Sequence, residues 1–227
     1  MRVRAVLLAA ALALGLMLDS APAPAAPHAD FRAGIEYSDS GREARTCGTA
    51  AASGTRARMD VDLGRVGVFT LLTDVESRQM YVLSQKLKAY VKVPVEGDPR
   101  SWRDLVASAS SAIMPQSLGL VGIRETEREE LGREQVQGYS AEKSRSVFEI
   151  SFMGTVRQIT VDVWENGLFA PFPLKVSVLE SRNSREGSAW LTDIEAARTP
   201  EAELAVPEDF TRYTSVMDLL LFALTAF

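Results

Sequence analysis

The sequence predicts a mainly β domain of the α+β type, built on an antiparallel sheet, and three observations carry that prediction. Apolar residues recur with a period of two through most of the chain beyond residue 30. The alternating runs are short and broken by polar turns about every 8–12 residues, the spacing of consecutive antiparallel strands. Only one internal stretch, 99–114, changes clearly to helical spacing.

Taken in order, Phe31, Ala33, Ile35 and Tyr37 alternate with Arg32, Gly34 and Glu36 to give a first strand. "TCGTAA" around Cys47 reads as a strand of small residues. Met59, Val61 and Leu63 then oppose Arg58, Asp60 and Asp62, "RVGVFTLL" continues the pattern, and Asp74–Ser77 is a turn before "QMYVLS". In "KLKAYVKVPV", Leu87, Ala89, Val91, Val93 and Val95 lie opposite Lys86, Lys88, Tyr90 and Lys92. Asp98, Pro99 and Ser101 are helix-start signals, and Trp102, Leu105, Val106 and Ala109 share one helical face up to Pro115. The charged run that follows lacks an apolar face and reads as a solvated hairpin.

Alternation resumes through Phe148, Ile150 and Phe152, turns at Met153-Gly154, and places Ile159, Val161 and Val163 inward. "VWENGLFAPFPLKVSV" (163–178) then interrupts two good strands with Gly167, Pro171, Pro173, Leu168, Phe169 and Phe172. Leu174, Val176 and Val178 restart the alternation, "SAWLTDIEAA" supplies another strand, and "AELAVPEDFTRY" is an extended closing segment.

Residues 1–25 read as a secretory signal peptide. Arg2 and Arg4 precede an apolar core, Ala5 to Leu18, that is shorter than the roughly 20 residues a membrane span requires. Ala23-Pro24-Ala25 offers one cleavage point and Ala29 a second; an uncleaved anchor helix is the alternative. No Cys follows the core, so no lipid anchor is indicated. A periplasmic or secreted location is expected, with no transmembrane span in the mature chain. One domain is expected over 30–213, followed by an apolar tail, 214–227.

The chemistry that is missing bounds the function. The only His is His28, beside the leader, which removes a Ser-His-Asp triad, a Cys-His dyad and the usual zinc sets from the domain. No phosphate-binding glycine loop appears, so no enzyme activity, metal or cofactor is predicted. A net charge of −5 argues against a nucleic-acid partner. Cys47 is the sole cysteine, so no internal disulfide can form; a buried inert thiol is expected, with a reactive thiol as the alternative. Asp60 with Asp62, and Glu125, Glu127 and Glu129, fall on common strand faces. They read as solvated, with a cation site or an acid/base pair as the alternative. Lys86, Lys88 and Lys92 around Tyr90 likewise read as a solvated face.

Several segments together carry a resemblance. Gly132, Glu134, Val136, Gly138 and Tyr139 match the motif Gly-x-Glu-x-Val-x-Gly-Tyr. Trp164 followed by Pro173-Leu174-Lys175 matches a later one, and "AVPEDF", with Pro207, a closing one. Their shared order resembles an uncharacterised family of exported bacterial domains related to the outer-membrane lipoprotein carriers and their receptors (LolA/LolB-like). The resemblance implies a strongly curved antiparallel sheet, an unclosed half-barrel with covering helices, and a hydrophobic cavity for acyl chains. The helix at 99–114 and the tail after Tyr213 have no counterpart in the motif pattern.

The alternation pattern implies the same shape, because a sheet with one apolar face must cover that face and a single helix covers little of it. The expected function is binding of an apolar or lipid ligand, with Trp164, Leu168, Phe169, Phe172, Phe148 and Ile150 at the cavity or its rim. A protein-interaction or envelope-sensing module is the alternative. The tail is expected to form a helix packed into or across the concavity; peripheral membrane contact through 216–227 and dimerisation are its alternatives.

Overall fold

The computed structural model describes residues 29–39, 42–113, 121–152, 155–180 and 185–225. The leader, the Met153-Gly154 turn and the last two residues fall outside the described residues. Twelve strands are present: Phe31–Asp39 (β1), Arg45–Ser53 (β2), Arg56–Asp62 (β3), Val68–Asp74 (β4), Gln79–Ser84 (β5) and Ala89–Pro94 (β6), then Val121–Val136 (β7), Tyr139–Phe152 (β8), Thr155–Glu165 (β9), Lys175–Glu180 (β10), Arg185–Glu195 (β11) and Thr211–Tyr213 (β12). Among the described residues two α-helices accompany them, Trp102–Ile113 (α1) and Val216–Thr225 (α2).

All twelve strands form one sheet in the order β12-β6-β5-β4-β3-β2-β1-β11-β10-β9-β8-β7. Two meanders, β1–β6 and β7–β11, join where β1 pairs with β11, Ile35 opposite Leu191. The pairing is antiparallel throughout, except that β12 adds parallel to β6. The edge strands β7 and β12 do not pair with each other, so the sheet is an unclosed half-barrel. Because β6 and β7 lie at opposite ends of this order, the chain between them must cross the sheet, and α1 makes that crossing.

Burial explains the curvature. Laid flat, twelve strands would span about 50 Å, whereas α1, with 12 residues, is about 18 Å long. Yet Leu105 of α1 packs with Met80, Val91 and Val93, Trp102 and Val106 pack with Phe31, Ile35 and Met59, and Ala107 reaches Phe148, Ile159 and Val161. One short helix contacts strands from both halves only if the sheet curls around it. Ser101 caps the helix, accepting from the Asp104 N–H at 3.3 Å, while Asp104 accepts from the Asp98 N–H at 2.7 Å.

The charged hairpin is the longest in the sheet. Gln137 and Gly138 join β7 to β8 in two residues with φ of 51° and 81°, the positive pair that matches hairpin twist. Three expectations are corrected. Lys86, Leu87 and Lys88 belong to a tight turn ending at Lys88 with φ 46°, and the strand starts only at Ala89. The closing segment is not extended throughout, since Glu201–Leu204 forms a 3-10 turn before β12. Glu125, Glu127 and Glu129 do not share a face. An irregularity in the β7–β8 register between Glu125 and Glu127 turns Glu125 inward and leaves the other two exposed.

The C-terminal helix α2 packs Val216, Leu219 and Ala223 onto the cluster around Met80, Val91 and Leu105. It therefore covers the β5–β6–β12 end of the sheet and touches α1, rather than filling the centre of the concavity. Phe222 lies outside, 54% exposed, with its ring edge-on to Tyr213. Among the described residues no helix is long and apolar enough to cross a membrane.

Candidate functional site

Beneath α1 lies an apolar cavity of about 50 Å³. Ile35 and Met59 form one wall, Val176, Val178, Ala189 and Leu191 another, and Trp102 of α1 closes it together with Phe172 and Pro173. These strand residues arrive there by alternation, as the inward phase of β1, β3, β10 or β11, and Trp190, between Ala189 and Leu191, also reaches the lining. Small-molecule sites typically occupy about 300–1,000 Å³, so the cavity as it stands cannot hold an acyl chain. A chain can enter only if α1 or the 166–174 segment gives way.

That segment is fastened at three points. Asn166 accepts from the Leu168 N–H at 2.9 Å and donates from its side chain to the Ser140 carbonyl at 2.8 Å. The ring of Phe169 meets Phe31 on β1 edge-on at 5.3 Å and Tyr139 on β8 at 4.8 Å. Phe172 meets Trp102 edge-on at 6.4 Å. Phe169 and Phe172 are thus buried, 4% and 2% exposed, and join the hairpin, the first strand and the helix; Leu168 alone stays outside, 48% exposed.

The motif residues gather beside this segment. The Trp164 indole donates from Nε1 to Glu134 Oε2 at 2.7 Å, and Lys143 Nζ donates to Glu134 Oε1 at 2.9 Å. Lys143 and Lys175, cross-strand neighbours of Trp164 on β8 and β10, stand 4.6 and 4.7 Å from the indole centroid. The Trp164 N–H and then Lys143 hold the Glu134 carboxyl below the usual range. Gly132 adopts φ 86° beside a second register shift in β7, Val136 packs on the core, and Gly138 makes the turn. Pro207 accepts from the Phe210 N–H at 3.2 Å just before β12. These residues fasten strands together; of the whole motif set, only Pro173 lines the cavity.

The structure therefore spreads the expected site. Phe172 lines the cavity. Phe148 is buried and Ile150 half-buried in an adjacent apolar cluster that shares Val176 and Val178 with the cavity wall. Trp164, Phe169 and Leu168 do not line it. The remaining wall residues carry no site signal in the sequence, because their meeting depends on strand order. Trp102 was visible on a helical face, with no sign in the sequence of what it faces.

The remaining candidates are occupied. Asp60 receives Arg58 at 2.7 and 3.0 Å and also the Thr70 hydroxyl, while Asp62 accepts from the Gly64 N–H at 2.8 Å. Among the described residues no group of three or more His, Cys, Asp or Glu is placed to hold a metal ion. Lys88 pairs with Asp209 at 2.7 Å. Cys47 is buried, and burial pushes its thiol up. A polar depression of about 640 Å³ near Asp30, Arg56 and Arg198 is larger, but Arg56 there already binds Glu201 at 2.8 Å and Asp74 at 3.5 Å.

No protein-family model matches the sequence, and no curated protein matches it. Solved structures do. The chain is similar to a LolA superfamily protein from Nitrosomonas europaea at 9% identity, over 80% of this chain and 92% of that one, with a TM-score of 0.34. It is similar to the lipoprotein LppX of Mycobacterium tuberculosis at 11% identity, over 74% and 88%, with a TM-score of 0.30. A third, LprF from Mycobacterium bovis, gives 12% identity over 80% and 90%, with a TM-score of 0.30.

Proposed function

We propose that this chain is an exported, non-enzymatic binding protein that holds an apolar or acylated ligand between α1 and the inner face of the half-barrel. One observation carries the reading: the cavity wall, from Ile35 on β1 to Val178 on β10, is apolar and already hollow. An apolar wall of this kind favours an apolar guest, which gains burial there with no polar group to desolvate. The lid is one helix, held over the cavity by Trp102 against Phe172 and by Arg103 against Glu125 at 2.7 Å. A ligand chain displaces these contacts and regains apolar burial against the same wall. The leader-like residues 1–25 support export to the periplasm or beyond, with 30–213 as the mature domain.

Displacement of a fluorescent alkyl probe by long-chain alcohols tests the proposal. Saturable displacement at one site per chain is expected. A probe that never binds, under conditions where the protein is folded, overturns it.

A protein-interaction module is the second reading, favoured by Leu168, which projects from an otherwise buried segment. A photo-crosslinker at position 168 separates the two: a single protein adduct supports the module, and lipid adducts support the carrier.

A further inference from the structure

The inner face of β10 carries the apolar cavity wall directly into a buried ion pair. Val176 and Val178 line the cavity, and Glu180, about 7 Å beyond Val178 along the strand, is the next residue in the same inward phase. Across the ladder Val178 stands opposite Val161, and Glu180 opposite Ile159. Ile159 and Val161 pack in one cluster with Phe148, Ile150, Val176 and Val178, against Ala107 of α1. Arg157, opposite Ile150 on β8, is the inward neighbour of Ile159 on β9. An apolar strip therefore runs from the cavity wall, beneath α1, to Arg157 and Glu180.

The two charges are arranged in depth. The Glu180 side chain is 8% exposed and that of Arg157 49%, and Arg157 Nη1 donates to Glu180 Oε1 at 3.2 Å. A carboxylate so buried needs a counter-ion, which fixes the guanidinium at this end of the strip. One bond to Glu180 leaves the guanidinium with further N–H donors, on a side chain half open to solvent. Two other inward acids are set apart. Glu125 is held by Arg103 at 2.7 Å, and Asp39 lies two strands from Val178, opposite Gly187.

We infer that the ligand is an amphiphile with an anionic head, carboxylate or phosphate, its alkyl chain along the Val176 and Val178 wall beneath α1 and its head on Arg157. The inference rests on the binding reading above. Glu180 lies behind Arg157, so an arriving head group meets the cation first. An ammonium is repelled there, and a hydroxyl gains only a bond to one charge. An anionic head completes a carboxylate–guanidinium–anion row while its chain stays on the apolar strip.

The test uses the full domain at pH 7 and compares dodecanoate, dodecyl phosphate, 1-dodecanol and dodecylamine, below their micelle concentrations, as displacers of a fluorescent alkyl probe. The better of the two anions is expected to bind about ten-fold more tightly than 1-dodecanol, with dodecylamine weakest, because one charge-assisted hydrogen bond in a half-exposed site is worth roughly that factor. Which anion is tighter separates a carboxylate from a phosphate head. Arg157→Gln combined with Glu180→Gln removes the cation without stranding a buried charge, and should erase the anion preference while leaving 1-dodecanol unchanged. Glu180→Gln alone keeps the cation and should not lower the preference. Arg124→Gln, which breaks an exposed pair with Glu149 on the outer face, should preserve it. Equal anion and alcohol affinity in the unsubstituted protein, or a preference that survives the double substitution, overturns the head-group assignment and leaves apolar binding standing. Displacement by none of the four overturns apolar binding itself, and the assignment with it.

Discussion

Trp164 donates its indole N–H to Glu134 at 2.7 Å, and through this bond a strand of one hairpin is tied to the long strand at the sheet's edge. The two residues belong to motifs 30 positions apart. Lys143 and Lys175 flank the same indole, so one aromatic ring gathers β7, β8, β9 and β10. Trp164→Ala removes a large buried side chain, 5% exposed, and should cost about 3–5 kcal/mol in urea unfolding.

The same contact predicts an acid response. The Glu134 carboxyl is held down, so its contribution to stability is complete above the ordinary glutamate pKa and is lost as pH falls through its lowered value. Acid titration of tryptophan fluorescence should show a transition below the usual glutamate range of about 4.3. The Glu134→Gln variant should lack that limb.

Phe169 and Leu168 are neighbours with opposite roles. Phe169→Ala loses edge-on contacts with both Phe31 and Tyr139 and should cost about 3–5 kcal/mol. Leu168→Ala removes an exposed side chain and should stay within about 0.5 kcal/mol. Equal effects in thermal melts would contradict the stapling role of Phe169.

Glu165 gives the opposite pH signature from Glu134. Its folded pKa is raised, so the folded state binds more protons than the unfolded one between the ordinary and the raised values. Stability therefore falls as pH rises through that window. Glu165→Gln should flatten this slope, read as melting temperature against pH.

Phe172 divides stability from capacity. Phe172→Ala loses the contact with Trp102 and enlarges the cavity, and should lower stability by about 3–5 kcal/mol. It should also tighten binding of a benzene-sized guest, since engineered apolar cavities of about 150 Å³ accept such molecules. Isothermal titration against the unsubstituted protein checks the second outcome.

Much of this fold was legible because strand alternation is a local signal. Ile35, Met59, Val161 and Val176 all face inward, as their period of two requires. The register shift that separates Glu125 from Glu127 was not legible, because a bulge is a relation between two strands and β8 imposes it. Phe169 and Phe172 looked unaccommodated because Phe31, Tyr139 and Trp102 are far away in sequence, and only strand order brings them together. Glu165 did leave a trace, as the charged end of the inward run Ile159-Val161-Val163. The charges that act on it, Arg128, Glu130, Arg103 and Glu142, are brought to it only in three dimensions. The cavity's size is a packing outcome, set by how closely Trp102 approaches Phe172.

Apolar binding by this domain requires an alkyl chain to occupy the space beneath α1. Native mass spectrometry of the protein with 1-dodecanol, beside the cavity-filling variant Ala189→Phe, measures this directly. One bound alcohol per chain in the unsubstituted protein and none in folded Ala189→Phe is the expected result. No adduct in either protein, or equal adducts in both, would contradict it.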